Sequence, residues 1–125
     1  MERIGLQTQR NLESFLSRLG ISKVNMLNEM SFIFPEHYLF LELVSSRIIM
    51  KINCEIYLDD EDILLLHQRL DPEMTGGYLF RAYRTEKTLS LNVTLSEDIS
   101  SETLYLVYNI MLRLLSPWKK NRNNG

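Results

Sequence analysis

Residues 37–57 read HYLFLELVSSRIIMKINCEIY, two alternating runs joined by Ser45-Ser46. In the first run Leu39, Leu41 and Leu43 take one face and Tyr38, Phe40, Glu42 and Val44 the other. In the second, Ile48, Met50, Ile52, Cys54 and Ile56 oppose Ile49, Lys51, Asn53 and Glu55. Period-two alternation across a tight connection predicts an antiparallel hairpin, with one clean apolar face and one mixed face. Just upstream, Ser31-Phe32-Ile33-Phe34 adds a third strand. It stops at Pro35, which cannot donate to a ladder.

Helical spacing brackets this meander. Leu12, Phe15, Leu16 and Leu19 form an apolar stripe that Gly20 ends as a C-cap. After the hairpin, Asp59 or Asp60 caps a second helix, with Glu61 and Asp62 in the first turn where the dipole favours acids. Ile63, Leu66 and Leu70 share one of its faces with His67, while Leu64 and Leu65 lie opposite. That helix is apolar nearly all round, so something besides its own core is expected to cover it.

Asp71-Pro72 and Gly76-Gly77 punctuate a loop. Tyr78–Arg84 and Thr88–Leu95 read as a second hairpin. Ser100 opens a last helix whose core face is Leu104, Val107, Tyr108, Met111, Leu114 and Leu115, and Pro117 is expected to end it. The expected fold is α+β, in the order α-β-β-β-α-β-β-α: a twisted antiparallel sheet with three helices. Residues 1–117 form a single domain, and 118–125 a basic, flexible tail carrying Lys119, Lys120 and Arg122.

Charge narrows the function. The whole chain carries −2, and residues 1–117 carry 11 basic against 16 acidic residues, a net of −5. Phosphate backbones call for a basic surface, so no nucleic-acid partner is expected. The single Cys54 excludes an intrachain disulfide. The N-terminus has no apolar run of signal-peptide type, and no stretch is long enough to span a bilayer, so a soluble intracellular protein without membrane insertion is expected.

Catalytic and metal chemistry find no pattern. His37 and His67 are thirty residues apart with no further His or Cys at ligand spacing, so no metal site is expected. Asp59-Asp60-Glu61-Asp62 lacks the alternation and the glycine of a calcium loop. Gly76-Gly77 precedes a strand and no Lys-Ser/Thr pair, so it is not a phosphate loop. The protein is expected to be no enzyme and to use no cofactor. Its positive signal is surplus apolar surface: Tyr38, Phe40 and Ile49 off the core parity, and Leu64 and Leu65 on the second helix. Two arrangements stay open. The first and third helices cover both faces of the sheet, or one face is left for a partner.

The chain resembles the class I chaperones of bacterial type III secretion, the group of the Tir chaperone, over about residues 8–116. The resemblance rests on size, acidity and element order. It is most specific in Gly76-Gly77-Tyr78-Leu79-Phe80, in Leu89-Ser90-Leu91-Asn92-Val93 and in the acid-rich Ser96-Glu97-Asp98 leading to the last helix. The basic tail and a pI of about 5.7, mild for the group, depart from it.

The resemblance implies a homodimer in the bacterial cytoplasm that holds the N-terminal region of a secreted effector or translocator in extended form, keeping it soluble and secretion-competent. It implies a dimer interface at Leu64, Leu65, Gln68, Tyr78 and Phe80. It implies a client groove over the first helix and first three strands, at Leu12, Phe15, Tyr38, Phe40 and Ile49. The alternative is a non-chaperone α+β adaptor or regulatory interaction module.

Overall fold

The computed structural model describes residues 4–124, with side chains to Trp118. The elements are α1 (Leu6–Arg18), β1 (Glu29–Ile33), β2 (Tyr38–Val44), β3 (Arg47–Cys54), α2 (Asp60–Arg69), β4 (Arg81–Arg84), β5 (Leu89–Ser96) and α3 (Ser101–Asn124). Their order is the one the periodicities predict. The β2–β3 hairpin pairs Leu41 with Met50 and Val44 with Arg47. Ser45 and Ser46 turn it at φ +50° and +63°, two consecutive positive values. Such a pair matches the twist of the flanking strands, although serine takes it less readily than Asn-Gly does.

All neighbours in the five-stranded sheet are antiparallel, in the order β1-β2-β3-β5-β4. β4 therefore runs parallel to β3 with β5 between them, and α2 lies in the connection that makes this crossover possible.

The sheet has one covered face. Met30, Leu39, Leu41, Ile48, Met50, Ile52, Leu89, Leu91 and Val93 are buried with Leu12, Phe15 and Leu16 of α1 and Leu104, Val107, Met111 and Leu115 of α3 in a single core. Both long helices therefore pack on the same side, and the arrangement with a helix on each face is not adopted. Thr8 Oγ1 donates to Glu97 O at 2.9 Å, and Asn11 Nδ2 to Ile99 O at 3.0 Å, tying α1 to the lead-in of α3.

Local chemistry sets the element ends. Asp59 caps α2: its Oδ1 accepts from Asp62 N at 2.8 Å, and Asp62 Oδ2 accepts from Asp59 N at 3.3 Å, a reciprocal capping box. Gly20, at φ +85°, follows α1 where a left-handed residue is needed. β3 stops at Cys54 rather than running to Tyr57, because Ile56 N turns back to Cys54 O at 3.0 Å. β4 is confined to Arg81–Arg84, since the Gly76-Gly77 turn and the 2.7 Å bond from Thr75 Oγ1 to Tyr78 O hold Tyr78–Phe80 outside the ladder.

Pro117 does not end α3, which continues to Asn124. A helical proline removes the bond that its own nitrogen would give to residue i−4. Here that residue is Arg113, and its carbonyl instead accepts from Ser116 Oγ at 2.9 Å and from Arg69 Nη2 at 3.0 Å. The second bond also pins the end of α2 to α3. The expected mobile tail falls on positions whose side chains, from Lys119 on, lie outside the described residues, as does the N-terminal Met1–Arg3.

Candidate functional site: the open sheet face and the exposed side of the second helix

The face of the sheet turned away from the helices carries Ile33, Tyr38, Phe40, Val44, Ile49 and Tyr83 among polar side chains. Register explains their grouping. Ser31, Phe40, Lys51, Asn92 and Arg81 lie in one row across all five strands. Glu29, Glu42, Ile49 and Thr94 form the next row. Phe40 sits 6.5 Å from the Tyr38 ring, and Lys51 Nζ lies 4.9 Å over its face. A depression of about 420 Å³ opens between these rows around Phe40, Glu42, Ile49 and Lys51. A second, of about 480 Å³, continues it past Leu79, Arg81 and Tyr83. The two share Ile49 and Asn92, so one shallow groove crosses the sheet. Its β1–β2 end is acidic, with Glu29 and Glu42, and its far end basic, with Arg47 and Arg81.

β1 is also a free edge. Phe34 N donates to His37 O at 2.9 Å, and Leu43 N to Asn28 O at 2.7 Å. Antiparallel pairing alternates, so the even-numbered residues of β1 turn their backbone groups to β2. Glu29, Ser31 and Ile33 then turn theirs outward, and Ile33 leaves its side chain 81% exposed at the same edge. Such an edge is a template for another strand.

The residues expected at a client surface divide. Tyr38, Phe40 and Ile49 share the open face. Leu12 and Phe15 do not join them: both are 0% exposed, on the opposite side of the sheet, and Phe15 meets the Tyr108 ring edge-on at 5.8 Å. The stripe that makes α1 amphipathic is spent on the core, so these two are structural residues here.

The residues expected at a dimer interface divide too. Leu64 and Leu65 are 64% and 53% exposed, beside exposed Gln68. Tyr78 is partly buried, while Phe80 at 7% belongs to the core. Sequence reasoning missed Ile33 and Tyr83, whose parity with Phe40 is visible only through the cross-strand register, and Leu79, which stands exposed at the end of the groove from outside the ladder. It also missed a groove of about 500 Å³ beside α2, lined by Arg69, Met74, Tyr78, Leu106, Ile110 and Arg113.

Neither histidine forms part of a metal cluster, and no group of ligating side chains occurs among the described residues. His37 is buried, stacked on Phe34 at 4.9 Å, and shares a 2.7 Å hydrogen bond between its Nε2 and Tyr108 Oη. Burial, and then the neighbouring Tyr105 and Cys54, push the Tyr108 hydroxyl up to about 12, so it remains protonated at any physiological pH. His67 is exposed on α2. Among the described residues no helix is long and apolar enough to cross a membrane.

No curated protein matches the chain in sequence. Solved structures do match in fold. The chaperone–effector complex of HopA1 and SchA aligns with a TM-score of 0.67 at 16% identity, over 92% of this chain and 94% of that one. The type III secretion chaperone SycH of Yersinia pestis, solved with a stable fragment of YscM2, aligns with a TM-score of 0.60 at 14% identity, over 87% and 98%. YbjN of E. coli, a putative transcription regulator, aligns with a TM-score of 0.59 at 14% identity, over 94% and 93%. The fold is thus that of type III secretion chaperones, and since residues 5–117 match the family model SsaM, the chain belongs to the SsaM family.

Proposed function

We propose that this protein is a bacterial type III secretion chaperone. It binds the N-terminal region of an effector or translocator in extended form and keeps it soluble and competent for export. One observation carries the reading: a sheet covered on one face only, with Tyr38, Phe40 and Ile49 on the open face beside a free β1 edge. The edge supplies main-chain hydrogen bonds to any extended segment, and the open face supplies side-chain contacts that select one. Ordering an unfolded segment costs about 2–5 kcal/mol, so the contact must be broad, and the groove crossing the sheet offers breadth rather than depth. The likeness to SchA and SycH, each solved with a bound protein, supports an effector-type partner.

The protein acts in the bacterial cytoplasm, as a homodimer, without catalysis or cofactor. The interface is built on Leu64 and Leu65, with Gln68 and Tyr78 at its margin. The single domain extends through Trp118, which packs in the core, and the basic end follows it.

Hydrogen exchange on the complex with an effector N-terminal segment tests this reading. Amides of Glu29, Ser31 and Ile33 should slow on binding, while the segment gains no compact protected core. Unchanged exchange at all three amides rejects edge addition.

The fold shared with YbjN favours a second reading, an adaptor or regulatory module that binds a folded partner. A partner that stays natively protected in the complex would select it.

A further inference from the structure

The free edge of β1 presents two unlike ends to the open face. At one end Glu29 stands directly opposite Glu42 of β2. The bond from Leu43 N to Asn28 O places the hydrogen-bonded pairs on either side of this one. Glu29 and Glu42 therefore form the closer type of pair, with Cα atoms about 4.5 Å apart. Like charges set opposite each other in a sheet are unfavourable. Among the described residues the only ion pair is Arg84 with Asp60, so neither carboxylate is paired with a base. Lys51, in the next row, holds its ammonium over the Phe40 ring instead. At the other end of the edge Ile33 stands opposite Tyr38, and both are exposed.

A charge on an edge strand guards against stray pairing. That accounts for Glu29 but not for Glu42, which sits on an inner strand. The remaining basic groups of the groove, Arg47 and Arg81, belong to β3 and β4, away from this edge. A segment arriving at β1 thus meets acid at one end and apolar surface at the other.

Register sets what such a segment must bring. Glu29, Ser31 and Ile33 turn their backbone groups outward, so each makes a hydrogen-bonded pair with one residue of an added strand. Side chains of a pair share a face. The residue set against Glu29 extends the row Glu29–Glu42, and the one set against Ile33 extends the row Ile33–Tyr38. Because alternate residues share a face, these two lie four positions apart in the added strand.

We infer that β1 selects extended segments in which an arginine or lysine lies four residues from a large apolar side chain. The base is set against Glu29 and Glu42, and the apolar group against Ile33 and Tyr38. This rests on the edge-addition reading above and goes beyond it by assigning the charge and spacing of the captured segment. A base relieves the like-charge pair, whereas an acid at that position meets two carboxylates. Selection therefore works by repulsion as well as attraction.

Three synthetic strand peptides test the code. Each has isoleucine at its centre, with arginine four places to either side, glutamate four places to either side, or arginine three places to either side. The symmetry lets each peptide fit in either strand direction. Fluorescence anisotropy with the full chain reads affinity, and hydrogen exchange reads position. The first peptide should bind about tenfold or more tighter than the second, because two attractions become two repulsions. The third should lose the advantage, since a shift of one residue turns the base to the other face. Glu29→Lys together with Glu42→Lys should reverse the preference, with melting curves establishing that the variant is folded. If it does not fold, Glu42→Gln decides: it must narrow the preference without lowering the melting temperature.

If no peptide slows exchange at the amides of Glu29, Ser31 and Ile33, edge addition falls and this inference with it. If the arginine and glutamate peptides slow those amides at equal affinity, the charge code falls and edge addition stands. A preference that survives the double reversal likewise overturns the assignment to Glu29 and Glu42.

Discussion

Replacing Phe40 by serine separates capture from folding. The side chain is half-buried on the open face, in a row with Ser31 and Lys51 and beside Tyr38. Its intramolecular contacts are few. The Lys51 ammonium over the ring is worth about 0.5–1 kcal/mol at an exposed site. Loss of strand-favouring aromatic character costs up to about 1 kcal/mol. The expected fall in stability is therefore about 1–2 kcal/mol, or roughly 3–8 °C in Tm for a domain of this size.

Phe15 is the control on the opposite side of the sheet. It is fully buried against Tyr108, and Phe15→Ala should cost about 3–5 kcal/mol through the cavity it leaves. Client affinity should show the reverse order. Phe40→Ser should weaken binding of an effector N-terminal segment by about tenfold or more, equivalent to roughly 1.4 kcal/mol. Phe15→Ala, measured well below its melting temperature, should leave it unchanged. Chemical denaturation and fluorescence titration on the same preparations give both quantities. A Phe40→Ser protein that loses about 3 kcal/mol or more and still binds normally would refute the open face as the capture surface.

Tyr108 makes stability fall in alkali. Its folded pKa is raised to about 12 from 10.0, so the folded state holds the proton more tightly, and this contribution is complete below pH 10 and lost as pH rises toward 12. Urea midpoints of wild type and Tyr108→Phe should differ by a constant amount at pH 8 and 9 and converge above pH 10; a gap that widens there would show the sign to be wrong. Asp59→Ala removes the half of the capping box in which Asp59 Oδ1 accepts from Asp62 N and should destabilise by about 0.5–2 kcal/mol, read in the same urea assay. Replacing Ser45-Ser46 by Asn-Gly relieves two positive φ values and should stabilise by about 1 kcal/mol; a lower melting temperature would mean that the serine side chains make contacts worth more than the strain.

Periodicity was enough to place every helix and strand, because burial on one side forces alternation in β2, β3 and β5 and a stripe in α1 and α3. Capping chemistry was equally legible: the acids at 59–62 start α2 by bonding their own backbone, a local matter. Pro117 misled because its effect depends on whether something else satisfies the Arg113 carbonyl, and Arg69, forty-four residues earlier, does so. Leu12 and Phe15 misled for a related reason. An apolar stripe announces that it will be buried, but not by what, and α3 of the same chain covers it.

The alternation of Tyr38, Phe40 and Ile49 against the leucines likewise established two unlike faces and no more. Whether the second face is covered depends on the side to which α1 and α3 fold, and that is set by long-range packing in the core. The same holds for the free β1 edge and for the Arg69 groove. Strand order and helix placement bring together residues far apart in sequence, and no local pattern encodes such meetings. The sequence by itself determined the elements and their faces, because these follow from nearest-neighbour sterics and the period of the backbone. Only the tertiary structure decided which faces remain for a partner, because that is a balance of burial over the whole domain.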